Sequence, residues 1–400
     1  MHIFTSITAN YIPKARVLAH SIKRHYIGCQ FHLILCDHIP ESIHINDEPF
    51  DSIITIAELP IPNFKSWLLK HSVVEMCTAV KGIAFQEIFR RYQCEKVIYL
   101  DPDIVVFDDL RRLSEKLDRH SVLLTPHQTA PEASTEAVVD NEICSLRHGV
   151  FNLGFLGVCN SQEGKRFLEW WSQRCQDFCY DDIPNGLFTD QRWADLIPAF
   201  FTDYHILRDA IYNVSTWNLT HRVATGNLET GILINNQALS FYHFSGFDSG
   251  AQETMLMKYG SHSPVLFDLR LWYISQCRRM EQEYYGNRPC AYSFFDNGET
   301  ISKEHRLTYR DRVDLQQAFT DPFATASPEH SYFHWFNAYG KTESSQEGAS
   351  HLDFNRAIYD LEIKLRRSEE IIQAMQSSKF WRLRSAYLRL KKMLAIRNRA

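Results

Sequence analysis

Lys96-Val97-Ile98-Tyr99-Leu100-Asp101-Pro102-Asp103 is the stretch on which the reading of this chain turns. Its first five residues predict a short strand, and two carboxylates two positions apart follow at once. A run this apolar fits a strand buried on both faces. Pro102 biases Asp101 toward an extended backbone, and extended geometry puts side chains two apart on the same side. The carboxylates are then expected to converge just beyond the strand. Left alone they repel, and their pKa values are pushed apart. A divalent cation resolves that conflict, because Mn2+ or Mg2+ takes oxygen ligands and bridges to a diphosphate. There it stabilises charge growing on a departing nucleoside diphosphate. An acidic turn closing a strand is the plainer reading of the same residues.

Upstream, strands and helices alternate. Residues 2–8 form an apolar, β-branched run, and Tyr11-Ile12-Pro13 opens a helix with Val17, Leu18, Ile22 and Tyr26 at helical spacing. Residues 31–36 predict a second strand ending at Asp37, 52–56 a third, and 72–91 a helix. This pattern predicts an α/β fold with a mainly parallel sheet covered on both faces. Ligands of such sheets gather at the carboxyl ends of the strands, where Asn10, Tyr11, Asp37, Asp101 and Asp103 all fall. Downstream, 122–125, 151–158 and 239–244 read as further strands. Residues 164–179 read as a helix, and a second helix is expected to start near Asp190. The alternation fades after about 250 into helix and aromatic-rich loops, and 341–351 is polar enough for a linker.

With 400 residues, 44% of them hydrophobic, the chain can bury a large core. A net charge of −5, without basic dominance in the body, makes nucleic acid a poor partner. No basic, apolar leader opens the chain and no run is long enough to span a membrane, so a cytoplasmic location is expected. The ten cysteines are scattered, and Cys175 and Cys179 have no second pair or His at zinc spacing, so they read as reduced thiols.

Several motifs in order resemble the GT-A fold glycosyltransferases, above all family 8 and its bacterial relatives, over roughly residues 1–250. Val97 to Ile104 resembles the DxD strand. Thr5-Ser6-Ile7-Thr8-Ala9-Asn10-Tyr11 resembles the first strand and its nucleotide-holding loop. Thr78-Ala79-Val80-Lys81 resembles the helix that turns a basic residue to the donor. Phe151-Asn152-Leu153-Gly154-Phe155 resembles the strand lining the donor sugar, and Thr189-Asp190-Gln191 the helix start that follows. Tyr242-His243-Phe244-Ser245-Gly246 resembles the late HFxG segment.

The resemblance implies a Rossmann-like GT-A domain over 1–250; beyond it the residues themselves read as a helical, aromatic-rich extension over 251–350 and a helical, basic amphipathic tail over 351–400. It implies a metal held by Asp101, Asp103 and His243, with Mn2+ or Mg2+ as cofactor. Donor contacts are implied for Thr8, Ala9, Asn10, Tyr11, Asp37, Lys81, Asp101, Gly154 and Gly246, and catalytic contacts for Asp190, Gln191 and Asn152. The donor would be a nucleotide diphosphate-sugar, UDP by family default, used with retention of configuration. The acceptor would be a glycan or lipid-linked acceptor of cell-surface polysaccharide biosynthesis.

The residues keep their alternatives. Imidazole is an acceptable third ligand for Mn2+, though a lone His among aromatics is commonly core. Lys81 offers a point charge for phosphate or is an exposed helix lysine. Tyr11 can stack on a base or staple its helix. Asn152 can bond hydroxyls, and Gly154 clears space for a sugar. Asp190 is a helix N-cap or a sugar contact. Tyr212-Asn213-Val214-Ser215-Thr216-Trp217 resembles a bacterial block closing the acceptor side, with Trp217 a platform or core. The family's HFxG often leads to a basic residue, whereas here no Lys or Arg follows until Lys258.

Three other functions compete. Asp101-Pro102-Asp103-Ile104-Val105 fits the nucleophile motif of haloacid dehalogenase-type phosphatases, but three strands precede it. A sugar-nucleotide pyrophosphorylase would need a Gly-rich opening loop. A catalytically silent binding or scaffold relative would keep the fold without turnover. Finally, 379–400 holds eight Lys or Arg and no acid. Leu383, Tyr387, Leu390 and Leu394 share one helical face there, which predicts peripheral contact with the inner face of the plasma membrane.

Overall fold

The computed structural model describes residues 1–340. The predicted linker and tail from 341 onward lie outside the described residues. Strands β1 (His2–Ile7), β2 (Gln30–Leu35), β3 (Ser52–Thr55), β4 (Lys96–Leu100), β5 (Ile104–Val106), β6 (Val122–Pro126), β7 (Phe151–Cys159), β8 (Tyr204–Ile206) and β9 (Phe241–His243) position the site. Seven of them form one sheet in the order β8-β6-β7-β4-β1-β2-β3. Neighbours pair in parallel except around β7, which runs antiparallel to both β4 and β6. The fold is the mixed, mainly parallel α/β sheet that the alternating elements predict.

The strands are apolar on both faces because both faces are covered. Ile3, Leu33, Leu35, Ile98 and Leu100 share a core with α1 (Ile12–His25). Phe4, Ile34, Val97 and Tyr99 point the other way, toward Ile83, Phe85, Phe167 and Trp171. Each such side chain contributes roughly 1.5–3 kcal/mol on burial. The expected helix over 72–91 is two helices, α2 (Val73–Ala79) and α3 (Lys81–Tyr92). Ser72 starts the first through a capping box, its Oγ accepting from Glu75 N while Glu75 Oε2 accepts from Ser72 N at 2.7 Å. The break at Val80 puts Lys81 in the first turn of a redirected helix. Helix α4 (Gln162–Phe178) packs against α3.

No regular α-helix starts at Asp190. A 3-10 stretch Arg192–Leu196 and a single turn Ile197–Phe200 follow instead, because Pro198 lacks an N–H and forces a fresh start. Helix α5 (Val265–Arg279) lays Leu266, Leu269 and Tyr273 on the α1 side of the sheet. The aromatic-rich segments expected as loops gather into a small cluster of Phe295, Tyr309, Tyr332 and Phe336, with Tyr332–Trp335 forming one helical turn. All ten cysteines are free thiols. Among the described residues no helix is long and apolar enough to cross a membrane.

Candidate metal and donor site

The two carboxylates converge, but not by extended geometry. Pro102 and Asp103 form a turn in which Ile104 N donates to Asp101 O at 3.0 Å. Asp101 N donates to Gly154 O at 2.8 Å, tying the turn to β7. The third member arrives from far along the chain. Strand β9 pairs antiparallel with β5, setting His243 against Ile104. Phe244 N also donates to Asp103 O at 2.9 Å. One ligand atom each of Asp101, Asp103 and His243 lies within 4.8 Å of the others. His243 Nε2 is 3.1 Å from Asp103 Oδ1 and 3.7 Å from Asp101 Oδ2.

Two carboxylates and an imidazole are a donor set that fits Mn2+ or Mg2+, and the surroundings support it. Asn213 Oδ1 lies 3.1 Å from His243 Nδ1. Accepting the Nδ1 proton would leave the Nε2 lone pair free for an ion held together with the two carboxylates. Asn213 sits at φ 49, a left-handed conformation that asparagine tolerates. Burial alone would depress the His243 pKa, yet the Asp103 and Asp101 charges raise it overall. Asp103 is held below the usual carboxylate range, because its pairing with His243 and the nearby Lys14 outweigh burial. No side chain fits at Gly154: a Cβ there would lie 2.4 Å from His243 Cε1 and 2.8 Å from Asp101 Oδ2.

Lys81 is the buried centre of the site, not an exposed helix lysine. Its Nζ lies 3.0 Å from Asp190 Oδ2 and 3.5 Å from Asp101 Oδ1, and donates to Leu153 O at 3.1 Å. Burial would lower its pKa, but Asp101 and Asp190 raise it, so it stays charged. Burial raises Asp190, with Lys81 opposing. Thr189 precedes Asp190 at φ 46, a strained conformation for a β-branched residue that tends to persist only at constrained sites. Tyr99 Oη donates to Asp101 Oδ1 at 2.5 Å. Three carboxylates thus surround one ammonium and one imidazole, an excess of negative charge that suits a dication.

The other predicted residues divide. Asn152 and Gln191 reach the cavity, but their amides are committed to protein. Asn152 Oδ1 accepts from Gly154 N at 3.1 Å and Asn213 Nδ2 at 2.9 Å. Gln191 Oε1 accepts from Leu153 N at 3.1 Å, and its Nε2 donates to His148 O at 3.0 Å. They brace β7 under the site. Asp37 accepts from the backbone N–H groups of Ala9, His38 and Ala291 at 2.9–3.2 Å, clamping three loops. Thr8, Ala9, Asn10 and Tyr11 turn at the carboxyl end of β1, with Thr8 Oγ1 donating to Asn10 Oδ1 at 2.6 Å. Gly246, at φ 73, follows the last member of the candidate metal cluster by three residues.

A cavity of about 390 Å³ opens between Lys81, Asp101, His243, Asp190 and Trp217. Trp217 lines it, and its indole N–H is buried without a partner, as is Nδ1 of His127. Sequence reasoning missed His127, Tyr99, Asn213 and Lys14 as site residues. Tyr99 and Asn213 stood in motifs the sequence singled out, the strand before Asp101 and the block at 212–217, but neither was given a role there, and His127 and Lys14 lay in no motif.

Fold and site together define an α/β protein with a candidate metal site and a cavity at the strand ends. Residues 2–166 match the model for glycosyl transferase family 8, so this part of the chain is similar to that family. It is similar to the uncharacterized protein YfnD of Bacillus subtilis (strain 168), at 26% identity over 253 residues, covering 62% of this chain and 78% of that one. Among solved structures it is similar to the galactosyltransferase LgtC in complex with donor and acceptor sugar analogues (17% identity, TM-score 0.40, 66% of this chain and 96% of that one). Mouse xyloside xylosyltransferase 1 is similar at 17% identity and TM-score 0.37, covering 61% of this chain and 97% of that one.

Proposed function

We propose that the protein transfers a sugar from a nucleotide diphosphate-sugar, UDP-linked in the first instance, to a glycan or lipid-linked acceptor. Asp101, Asp103 and His243 would hold Mn2+ or Mg2+, and their convergence at the carboxyl end of β4 is the observation that carries the reading. When bound, the ion supplies Lewis-acid stabilisation of the leaving diphosphate. The chain's own residues do the rest. Asp190, fixed by Lys81, presents a buried carboxylate to sugar hydroxyls, and the unpartnered Trp217 N–H offers a donor beside it. Gly154 leaves room for the sugar against the metal cluster, and Asn152, Gln191 and Asn213 hold that floor rigid. Retention of configuration is part of the proposal and rests on the family resemblance.

The test is release of nucleoside diphosphate from a panel of sugar nucleotides, with Mn2+ or with EDTA, beside an Asp103→Ala variant. Metal-dependent release from one donor, lost by at least a hundredfold in the variant, is the expected result. Should no donor turn over, calorimetry decides. Donor binding that requires metal keeps the transferase reading, and no binding at all moves the protein to the silent scaffold class.

A further inference from the structure

Lys14 is a buried cation that the reading above leaves without a task. Its side chain is 3% exposed, and its Nζ lies 2.5 Å from Asp248 Oδ2. The ammonium also sits 4.3 Å from the Tyr11 ring centroid and 5.5 Å from that of Phe247. Tyr11 Oη donates to the same Asp248 oxygen at 2.5 Å. Two donors from the start of α1 therefore grip one carboxylate on the loop that leaves His243. That loop leaves directly from the candidate metal cluster, because the strand before it ends at His243 and Phe244 N donates to Asp103 O at 2.9 Å.

The pair is asymmetric. Asp248 is half exposed, so it can turn into water at little cost. Lys14 is desolvated and needs an anion wherever Asp248 goes. Gly246 at φ 73 and Gly250 at φ 79 bracket Asp248, conformations that other residues rarely adopt. The exchangeable partner is the aspartate, and the fixed one is the lysine.

We infer that Asp248 and the donor's diphosphate compete for one place beside Lys14, and that Lys14 passes from Asp248 to that diphosphate when donor binds. The inference rests on the nucleotide-sugar reading and adds a second cation to the leaving group, contributed by α1. Residues 244–250 then act as a latch: Asp248 competes with donor, while Lys14 and Tyr11 are the groups competed for. Two opposite effects follow. Removing the competitor tightens binding, and removing the cation weakens it.

The test is calorimetry on the full chain with Mn2+, using UDP, GDP, CDP and ADP, and inorganic pyrophosphate, as probes. Asp248→Asn is expected to tighten nucleoside diphosphate and pyrophosphate binding roughly tenfold, and Lys14→Met to weaken both by roughly tenfold or more. Affinity for Mn2+ alone should shift far less in either variant. Wild-type protein that binds no nucleoside diphosphate overturns the nucleotide-sugar reading and this inference with it. Wild-type binding with both variants within twofold overturns the latch and leaves the reading standing. Weaker binding in Asp248→Asn also overturns it, because the aspartate would then be a brace. Should Lys14→Met fail to fold, the half-exposed Asp248 position decides alone.

Discussion

Gly154 is the residue at which the site tolerates least change. Any Cβ there meets His243, Asn152 and Asp101 at 2.4–2.8 Å, so a methyl group must displace members of the candidate metal cluster. Gly154→Ala is expected to lower Mn2+ affinity about 10–100-fold, the range seen when metal-supporting residues are lost. It should also cost roughly 1–3 kcal/mol in stability from overpacking. Metal titration by calorimetry and a denaturant curve separate the two effects, and unchanged Mn2+ affinity would remove Gly154 from the site. Asp103 and His243 are comprehensible at the same scale. Each alone is an ordinary side chain, and their mutual charge makes one a stronger anion and the other a readier cation.

Among the elements, α3 brings Lys81 to the site, and a second glycine controls its approach. At Gly82 a Cβ would lie 2.4 Å from Ser172 Oγ and 2.9 Å from Ser172 Cα on α4. Shortening Ser172 cannot relieve contact with its own Cα. Gly82→Ala is therefore expected to destabilise by roughly 1–3 kcal/mol, despite the higher helix propensity of alanine. Urea unfolding checks this, and a gain in stability would show that the two helices can separate freely. Lys81 follows directly from this packing, since the close approach of α3 to α4 aims the first turn of α3 into the strand ends.

For the whole molecule, the clearest consequence concerns pH. His32 and His71 are buried and far from the candidate metal cluster in the chain's order of elements. Burial pulls them down to about 4 and about 3, from the ordinary 6.5. Below pH 6.5 the unfolded chain takes up protons that the folded one refuses, so stability is full above about pH 7 and falls toward pH 4. A unit of pKa is worth about 1.4 kcal/mol, so the two together should remove several kcal/mol over that span. Unfolding free energies measured between pH 7 and 4.5 should fall, and His71→Gln should flatten the slope. A flat wild-type profile would show that the folded protein protonates these rings.

The α/β class, the positions of the first four strands along the chain, the helix start near Ser72 and the Asp101–Asp103 pair were all legible in the chain. Each depends on residues near one another in sequence: apolar runs, their helical or strand spacing, two acids two positions apart. The break at Val80 and the turn at Pro102 were not legible, because helix and strand patterns alone do not report how an element bends to meet its neighbours. The order of motifs could nominate His243 and Lys81, but their geometry was a tertiary decision. His243 reaches the carboxylates only because β9 pairs with β5, more than 130 positions apart. The same holds for Asn213 behind the imidazole and for Lys14 against Asp248, whose partners are distant in sequence and meet only once the sheet and its crossing helices have packed. Local residue chemistry determined which groups were available; long-range packing decided which of them face one another.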